Sequence, residues 1–150
     1  MTYKVGIAGY GVVGKRRHAA LEEIHDFKIT SVSDITFNDE NKPLHLNCYH
    51  DYRDLINNED LDILFVSLPN NHAANATLLG LEKNLHVFCE KPPARTLSEL
   101  IPIKQHLEKT DLKLMYGFNH RFHSSVMHAK KIIDSGELGK IVNLKGIYGK

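Results

Sequence analysis

Neither sign of charge dominates the 150 residues, since 19 Lys and Arg stand against 18 Asp and Glu. The two signs are mixed along the chain, without the basic stripe that nucleic acid or an anionic membrane surface requires, so electrostatics points to neither partner. No apolar run approaches the roughly 18 residues of a membrane span, and the N-terminal residues lack the basic and apolar segments of a secretory leader. Two cysteines, Cys48 and Cys89, make no disulfide framework. Cys89 closes an apolar run, where a small buried thiol is expected, and both thiols are expected to be reduced. These absences describe a soluble cytoplasmic chain. Internal repeats and low-complexity stretches are also missing. At this length one domain can form a full core, burying about 70% of the surface that the unfolded chain exposes.

What is present is an alternation of strands and helices. Lys4 to Gly9 reads as a strand, and Val12, Val13, Leu21 and Ile24 give an apolar helical stripe after it. Phe27 to Ser33 and Asn47 to Tyr49 read as strands, and a helix carrying Leu55 and Ile56 begins at about Asp51. Asp62 to Leu68 is nearly unbroken in its apolar character, as in a strand covered on both faces, and Asn71 to Lys83 is an alanine- and leucine-rich helix. Leu85 to Phe88 and Leu112 to Gly117 are strands, with a helix from Ser98 to Lys109 between them that carries Pro102 in its first turn. The pattern specifies an α/β fold, a Rossmann-type doubly wound parallel sheet, over residues 1–120. Residues 121–150 fit that sheet less well. Arg121 to Ser135 reads as a helix stopped by Gly136 and Gly139, and Lys140 to Tyr148 as a strand that nothing covers, so this part reads as the opening of a second, α+β domain. An uncovered strand edge is a template for association, either with a continuation of the chain or with another copy.

The first strand runs straight into Gly9-Tyr10-Gly11-Val12-Val13-Gly14, and Asp34 follows twenty positions after the last glycine. Each glycine has its own task at this spacing. Gly9 permits the tight turn off the strand, Gly11 lets the backbone approach a pyrophosphate, and Gly14 lets the helix pack close to the sheet. The phosphates would meet the N–H groups and partial positive charge of a helix N-terminus. A turn without a ligand is the alternative, but the strand before, the helix after and the acid at the right distance together point to a dinucleotide. Asp34 suits the adenosine ribose hydroxyls and repels a 2′-phosphate, which favours NAD over NADP. Lys15, Arg16 and Arg17 complicate that choice, because they could reach a phosphate or form a solvated face.

Phe88-Cys89-Glu90-Lys91-Pro92 places a carboxylate and an ammonium at the carboxyl end of the fifth strand. With the glycine turn, His18, Ser67-Leu68-Pro69-Asn70-Asn71-His72 and Gly136-Glu137-Leu138-Gly139, the chain resembles the oxidoreductase family named after glucose-fructose oxidoreductase, inositol dehydrogenase and rhizopine catabolism protein (Gfo/Idh/MocA). The resemblance covers essentially all 150 residues. It implies an N-terminal dinucleotide-binding domain and a larger sheet domain that completes the substrate site and mediates homo-oligomerisation. The implied reaction moves hydride between a nicotinamide cofactor and a hydroxyl-bearing carbon of a sugar, sugar nucleotide or cyclitol.

By the same resemblance the turn from Gly9 through Tyr10, Gly11, Val12 and Val13 to Gly14 holds the cofactor, with Asp34 at its ribose. Leu68, Pro69, Asn70 and His72 lie along the ribose and nicotinamide, Glu90 stands beside the reactive end, and Asn119 and Arg121 approach from after the sixth strand. Lys91 is the implied catalytic residue, touching substrate oxygen and the nicotinamide end, and the Lys91–Pro92 bond is implied to be cis. An ammonium there would stabilise the negative charge that develops on an alcohol oxygen during oxidation. A surface ion pair with Glu90 is the plainer role for Lys91, and an N-cap is the plainer role for Asn70. No metal is expected, because His120, His123 and His128 lack a ligand spacing, and no serine sits on a nucleophile elbow. The family's acid-base Asp and His would lie beyond Lys150, so the sequence reads either as the N-terminal portion of an enzyme or as a stand-alone binding module. A regulatory dinucleotide-binding protein and an NAD-dependent glycosidase remain as alternatives.

Overall fold

The computed structural model describes residues 2–147. The chain packs as two units, the first ending at Gly117 and the second beginning at Phe118. In the first, β1 (Tyr3–Ala8), β2 (Phe27–Ser33), β3 (Asn47–Tyr49), β4 (Ile63–Val66), β5 (His86–Cys89) and β6 (Leu114–Tyr116) form one sheet in the order β3-β2-β1-β4-β5-β6. Every pairing is parallel. The connecting helices are α1 (Val12–Glu22), α2 (Tyr52–Asn58), α3 (Asn70–Glu82) and α4 (Ile101–Leu107), the last entered through a 3-10 turn at Ser98–Leu100. The strand order steps outward from β1 to β3, then returns to β4 on the other side of β1. A crevice opens at such a reversal, at the carboxyl ends of the strands.

Burial on both faces explains the apolar strands. Val5, Ile7 and Ala8 of β1 and Leu64 of β4 are fully buried, and Val66 nearly so. One face packs Leu55 and Ile56 of α2, Ala73, Ala76 and Leu81 of α3 and Ile103 of α4 against Ala8, Leu64, Val66, Val87 and Cys89. The opposite face has a smaller core of Ile7, Val32 and Phe37. Cys89 is a free thiol within the larger core, and burial pushes its pKa up to about 11.

Three expectations need correction. The stripe on α1 is mostly not a buried face: of its four residues only Leu21 is buried, Val12 is 70% exposed, Val13 and Ile24 are exposed, and Ile24 lies beyond the helix end, while Gly14 is buried beside Leu21. A glycine against the sheet replaces the usual apolar contact, so hydrophobic periodicity misplaces the face. Second, α3 begins at Asn70 with Pro69 as its N-cap, and the Asn70 side chain makes no cap hydrogen bond. Third, residues 141–147 of the expected strand Lys140 to Tyr148 are irregular and exposed, and Tyr148 lies outside the described residues. A strand needs a ladder partner, and among the described residues this segment has none. The second unit otherwise holds a 3-10 turn at Asn119–Phe122 and α5 (Ser124–Asp134), separated by His123 in extended backbone where one helix from Arg121 was expected.

Leu64 sits on a central strand with no exposed surface. Leu64→Ala is expected to lower stability by about 2–5 kcal/mol, the range for a buried leucine truncation that leaves a cavity. Urea unfolding measures it, and a loss below about 1 kcal/mol would show that the larger core is loosely packed.

Candidate functional site

The turn after β1 shows why three glycines stand there. Gly9 has φ +90°, and a Cβ built on it would lie 2.6 Å from the Ser67 carbonyl oxygen. A Cβ on Gly14 would fall 2.0 Å from the Gly9 carbonyl oxygen, a distance no atom pair tolerates, so α1 rests directly on the turn. Gly11 is different: a Cβ there meets nothing within 4 Å. Its hydrogens face open space beside the start of α1, where no side chain caps the first turn. The turn is tied to the sheet by the N–H groups of Gly9 and Tyr10, which donate to the Ser33 carbonyl at 2.9 and 3.0 Å.

That open space belongs to a cleft of about 540 Å³ at the carboxyl ends of β1 to β4, a volume in the range of small-molecule sites. The segments that line it come from four successive strand ends: Gly9 and Gly11, Ser33 to Thr36, His50 to Arg53, and Ser67 to His72 without Asn70. Asp34 is held in place at the end of β2. Its N–H donates to the Tyr49 carbonyl at 3.0 Å, and its Oδ1 accepts from the Thr36 N–H at 3.0 Å and the Thr36 hydroxyl at 2.7 Å. Oδ2 has no hydrogen bond among the described residues and stands available on the cleft wall. The buried hydroxyl oxygens of Ser33 and Ser67, both from cleft-lining residues, are also without a partner.

The remaining cleft charges are matched internally. Asp51 caps α2 by accepting from the Arg53 N–H at 2.8 Å, and it pairs with the Arg53 guanidinium at 2.7 Å. The guanidinium also lies 4.9 Å from the centre of the Tyr52 ring, which in turn approaches His72 at 6.1 Å. His50 to Arg53 escaped the sequence reading. They reach the cleft because β3 pairs with β2 and brings residue 49 beside residue 34, a nonlocal register that no local pattern reveals. The one local signal was Asp51 immediately before a helix.

Of the residues expected to hold a cofactor, Gly9, Gly11, Asp34, Leu68, Pro69 and His72 line the cleft, and Asn71 does so in place of Asn70. Tyr10 turns away from it: its hydroxyl meets His18 Nδ1 at 2.6 Å, its ring faces Phe37 at 6.0 Å, and burial raises its pKa. Val12 and Val13 are exposed on α1 beside the turn. Glu90 and Lys91 stand two strands away from β1, after β5, and Lys91–Pro92 is cis. Glu90 pairs with Arg17, not with Lys91, so Arg17 leaves the solvated face to which it could have belonged. Lys91 is exposed and has no ion pair or hydrogen bond among the described residues. Asn119 and Arg121 lie on the exposed 3-10 turn of the second unit, where the Arg121 guanidinium lies 5.7 Å from the centre of the Phe122 ring. Among the described residues no group of three or more His, Cys, Asp or Glu could hold a metal ion, and no helix is long and apolar enough to cross a membrane.

Residues 3–118 match the model of the oxidoreductase family with an NAD-binding Rossmann fold. The inositol 2-dehydrogenase of Salmonella typhimurium is 30% identical over 153 aligned residues, covering 97% of this chain and 46% of that protein. Glucose-6-phosphate 3-dehydrogenase of Bacillus subtilis is 32% identical, covering 98% of this chain and 42% of its own length. Among solved structures, myo-inositol 2-dehydrogenase from Lactobacillus plantarum superposes with a TM-score of 0.84 at 27% identity, over 95% of this chain and 44% of that one. Scyllo-inositol dehydrogenase from Lactobacillus casei, solved with bound NAD(H) and scyllo-inositol, gives 0.82 at 27% identity, over 94% and 43%. The chain thus spans less than half the length of the relatives it matches, and it belongs to the Gfo/Idh/MocA oxidoreductase family.

The geometry separates two glycines by role. Gly14→Ala is expected to destabilise the fold by about 1–3 kcal/mol or prevent it from forming, because the methyl group has no space, whereas Gly11→Ala should leave stability within about 0.5–1 kcal/mol. Thermal and urea unfolding of both variants give the comparison. Equal losses would show that Gly11 too is a packing residue.

Proposed function

We propose that this member of the family holds NAD(H) in the cleft beside Gly11 and forms the cofactor-binding part of an oxidoreductase. Its substrate would be a cyclitol or sugar, oxidised at a hydroxyl-bearing carbon, as the names of the inositol and glucose-6-phosphate dehydrogenases suggest. The observation that carries the reading is the open backbone at Gly11, set in one cleft with the Asp34 carboxylate. The residues present fit a dinucleotide. Gly11 and the uncapped start of α1 offer bare backbone N–H groups to a pyrophosphate, and Asp34 offers Oδ2 to a ribose diol. When bound, NAD supplies the hydride acceptor.

Each further role falls to a residue of the chain. Asp34 orients the adenosine end and repels a 2′-phosphate, while the one guanidinium on the cleft wall, that of Arg53, is already paired with Asp51. Both features support NAD over NADP. Leu68, Pro69 and His72 would border the path from the turn toward β5. Lys91 stands exposed at the end of that path with its ammonium unpaired, suited to stabilising an alkoxide as charge develops on the substrate oxygen.

Three outcomes test this reading. Gly11→Val should weaken NAD binding at least tenfold, about 1.4 kcal/mol, in calorimetric titration of a variant that still folds. Unchanged affinity would remove the phosphate cradle from the turn. Asp34→Ser should narrow the preference for NAD over NADP in competitive titration, and a parent that already prefers NADP would overturn the role of Asp34. In a form extended by the substrate domain, with hydride transfer to NAD from an inositol or sugar followed by NADH absorbance, Lys91→Ala should lower turnover by roughly two orders of magnitude while changing NAD affinity much less. Turnover indifferent to Lys91 would move the reading toward binding or regulation.

A further inference from the structure

Glu90 is placed with little freedom. It directly follows β5, and its N–H donates to the Val66 carbonyl at 2.9 Å. Its side chain is 12% exposed, and Oε1 accepts from Arg17 Nε at 2.6 Å while also meeting a terminal nitrogen of the same guanidinium. The carboxylate is closed in on the β6 side by Gly117, where a Cβ would lie 2.8 Å from Oε2. The guanidinium lies 5.3 Å from the centre of the Phe88 ring, and that ring stacks on Phe65 at 5.0 Å. A guanidinium suits this position, since its charge lies within cation–π range of the aromatic ring while two of its nitrogens address the carboxylate. Lys91, the next residue, is the nearest cation in sequence and is left out of the arrangement.

We propose that Arg17 is a positioning residue that holds the Glu90 carboxylate away from Lys91, keeping the Lys91 ammonium uncommitted for a ligand. Glu90 is the carboxylate next to Lys91 in sequence, and a lysine paired with it must give up that partner before it can meet a substrate oxygen. Arg17 removes the competitor by offering Glu90 a better one, in a partly buried site where charge pairs are screened less than at the surface. The role Lys91 then plays rests on the cofactor reading above. The withdrawal of Glu90 from Lys91 does not.

The first measurement therefore needs no ligand. Acylation of Lys91 at fixed pH, followed by peptide mass spectrometry, reports how far its amine is held in an ion pair. Arg17→Met is expected to slow acylation by roughly two- to fivefold, the scale of a solvent-exposed pair, and the double variant Arg17→Met with Glu90→Gln should restore the parent rate. A purely structural salt bridge predicts no such rescue. Glu90→Gln alone should leave the rate unchanged, because Arg17 already holds the carboxylate, and this mild variant decides the matter should Arg17→Met not fold. Faster acylation in Glu90→Gln, or a double variant as slow as Arg17→Met, overturns the proposal. A second measurement compares NADH with ADP-ribose, which lacks the nicotinamide. Arg17→Met should weaken NADH severalfold and leave ADP-ribose unchanged, with rescue again in the double variant. A parent that binds neither ligand defeats the cofactor reading, whereas a parent that binds both and variants that weaken both equally defeat the role assigned to Arg17.

Discussion

The approach of α1 to the turn after β1, with no room for a Cβ at Gly14, is the constraint from which the rest of the first unit's chemistry follows. It sets the start of the helix over the end of the central strand and leaves the Gly11 backbone facing the cleft. One turn further along, on the same side of the helix, Arg17 is brought over Phe88 and onto Glu90. A wider separation would loosen both at once. The cradle and the tie to β5 are therefore two consequences of a single contact, made at a residue that contributes no side chain.

Charge in this region is arranged so that most groups are satisfied within the chain. Arg53 belongs to Asp51, Arg17 to Glu90, and one oxygen of Asp34 to Thr36. Among the described residues, the second oxygen of Asp34 and the ammonium of Lys91 are left without such a partner. Internal pairing has a cost in desolvation for the partly buried Arg17–Glu90 pair, and it gains selectivity, because an incoming ligand meets only the groups left unmatched.

The parts of this arrangement legible in the sequence are those where residue type itself encodes a backbone requirement. Gly9 must adopt φ +90° and Gly14 must lack a Cβ, so the turn could be read before any contact was known. The alternation of strands and helices was equally plain, since β1 is buried on both faces from Val5 to Ala8, and β4 and β5 are buried on one face and partly buried on the other. What could not be read depends on partners distant in the chain. Arg17 and Glu90 are 73 positions apart, and nothing near either predicts their pairing. The face of α1 was misplaced for a related reason: its closest contact is made by backbone, which periodicity of side chains does not register. The expected strand after residue 139 failed because alternation describes a face, whereas a strand also requires a neighbour.

The positions of the two unmatched groups narrow what a shared ligand could be. Asp34 follows β2 and Lys91 follows β5, with β1 and β4 between them. Three strand spacings separate the two strand ends, about 14 Å. A single compact sugar cannot meet both, and a ligand with one anionic end would be repelled at Asp34 and attracted at Lys91. A molecule that engaged both would be elongated, polar and uncharged at the Asp34 end, and anionic in the middle where the bare Gly11 backbone and the start of α1 lie. A dinucleotide lacking a 2′-phosphate has that order of parts, with a ribose diol at one end and a pyrophosphate at the centre. Its far end would then lie toward β5, where Lys91 could meet both that end and a second, smaller molecule. The spacing of strands thus keeps the Asp34 carboxylate and the Lys91 ammonium apart, so that on the proposed reading recognition of the ribose and chemistry at the substrate fall at different strand ends.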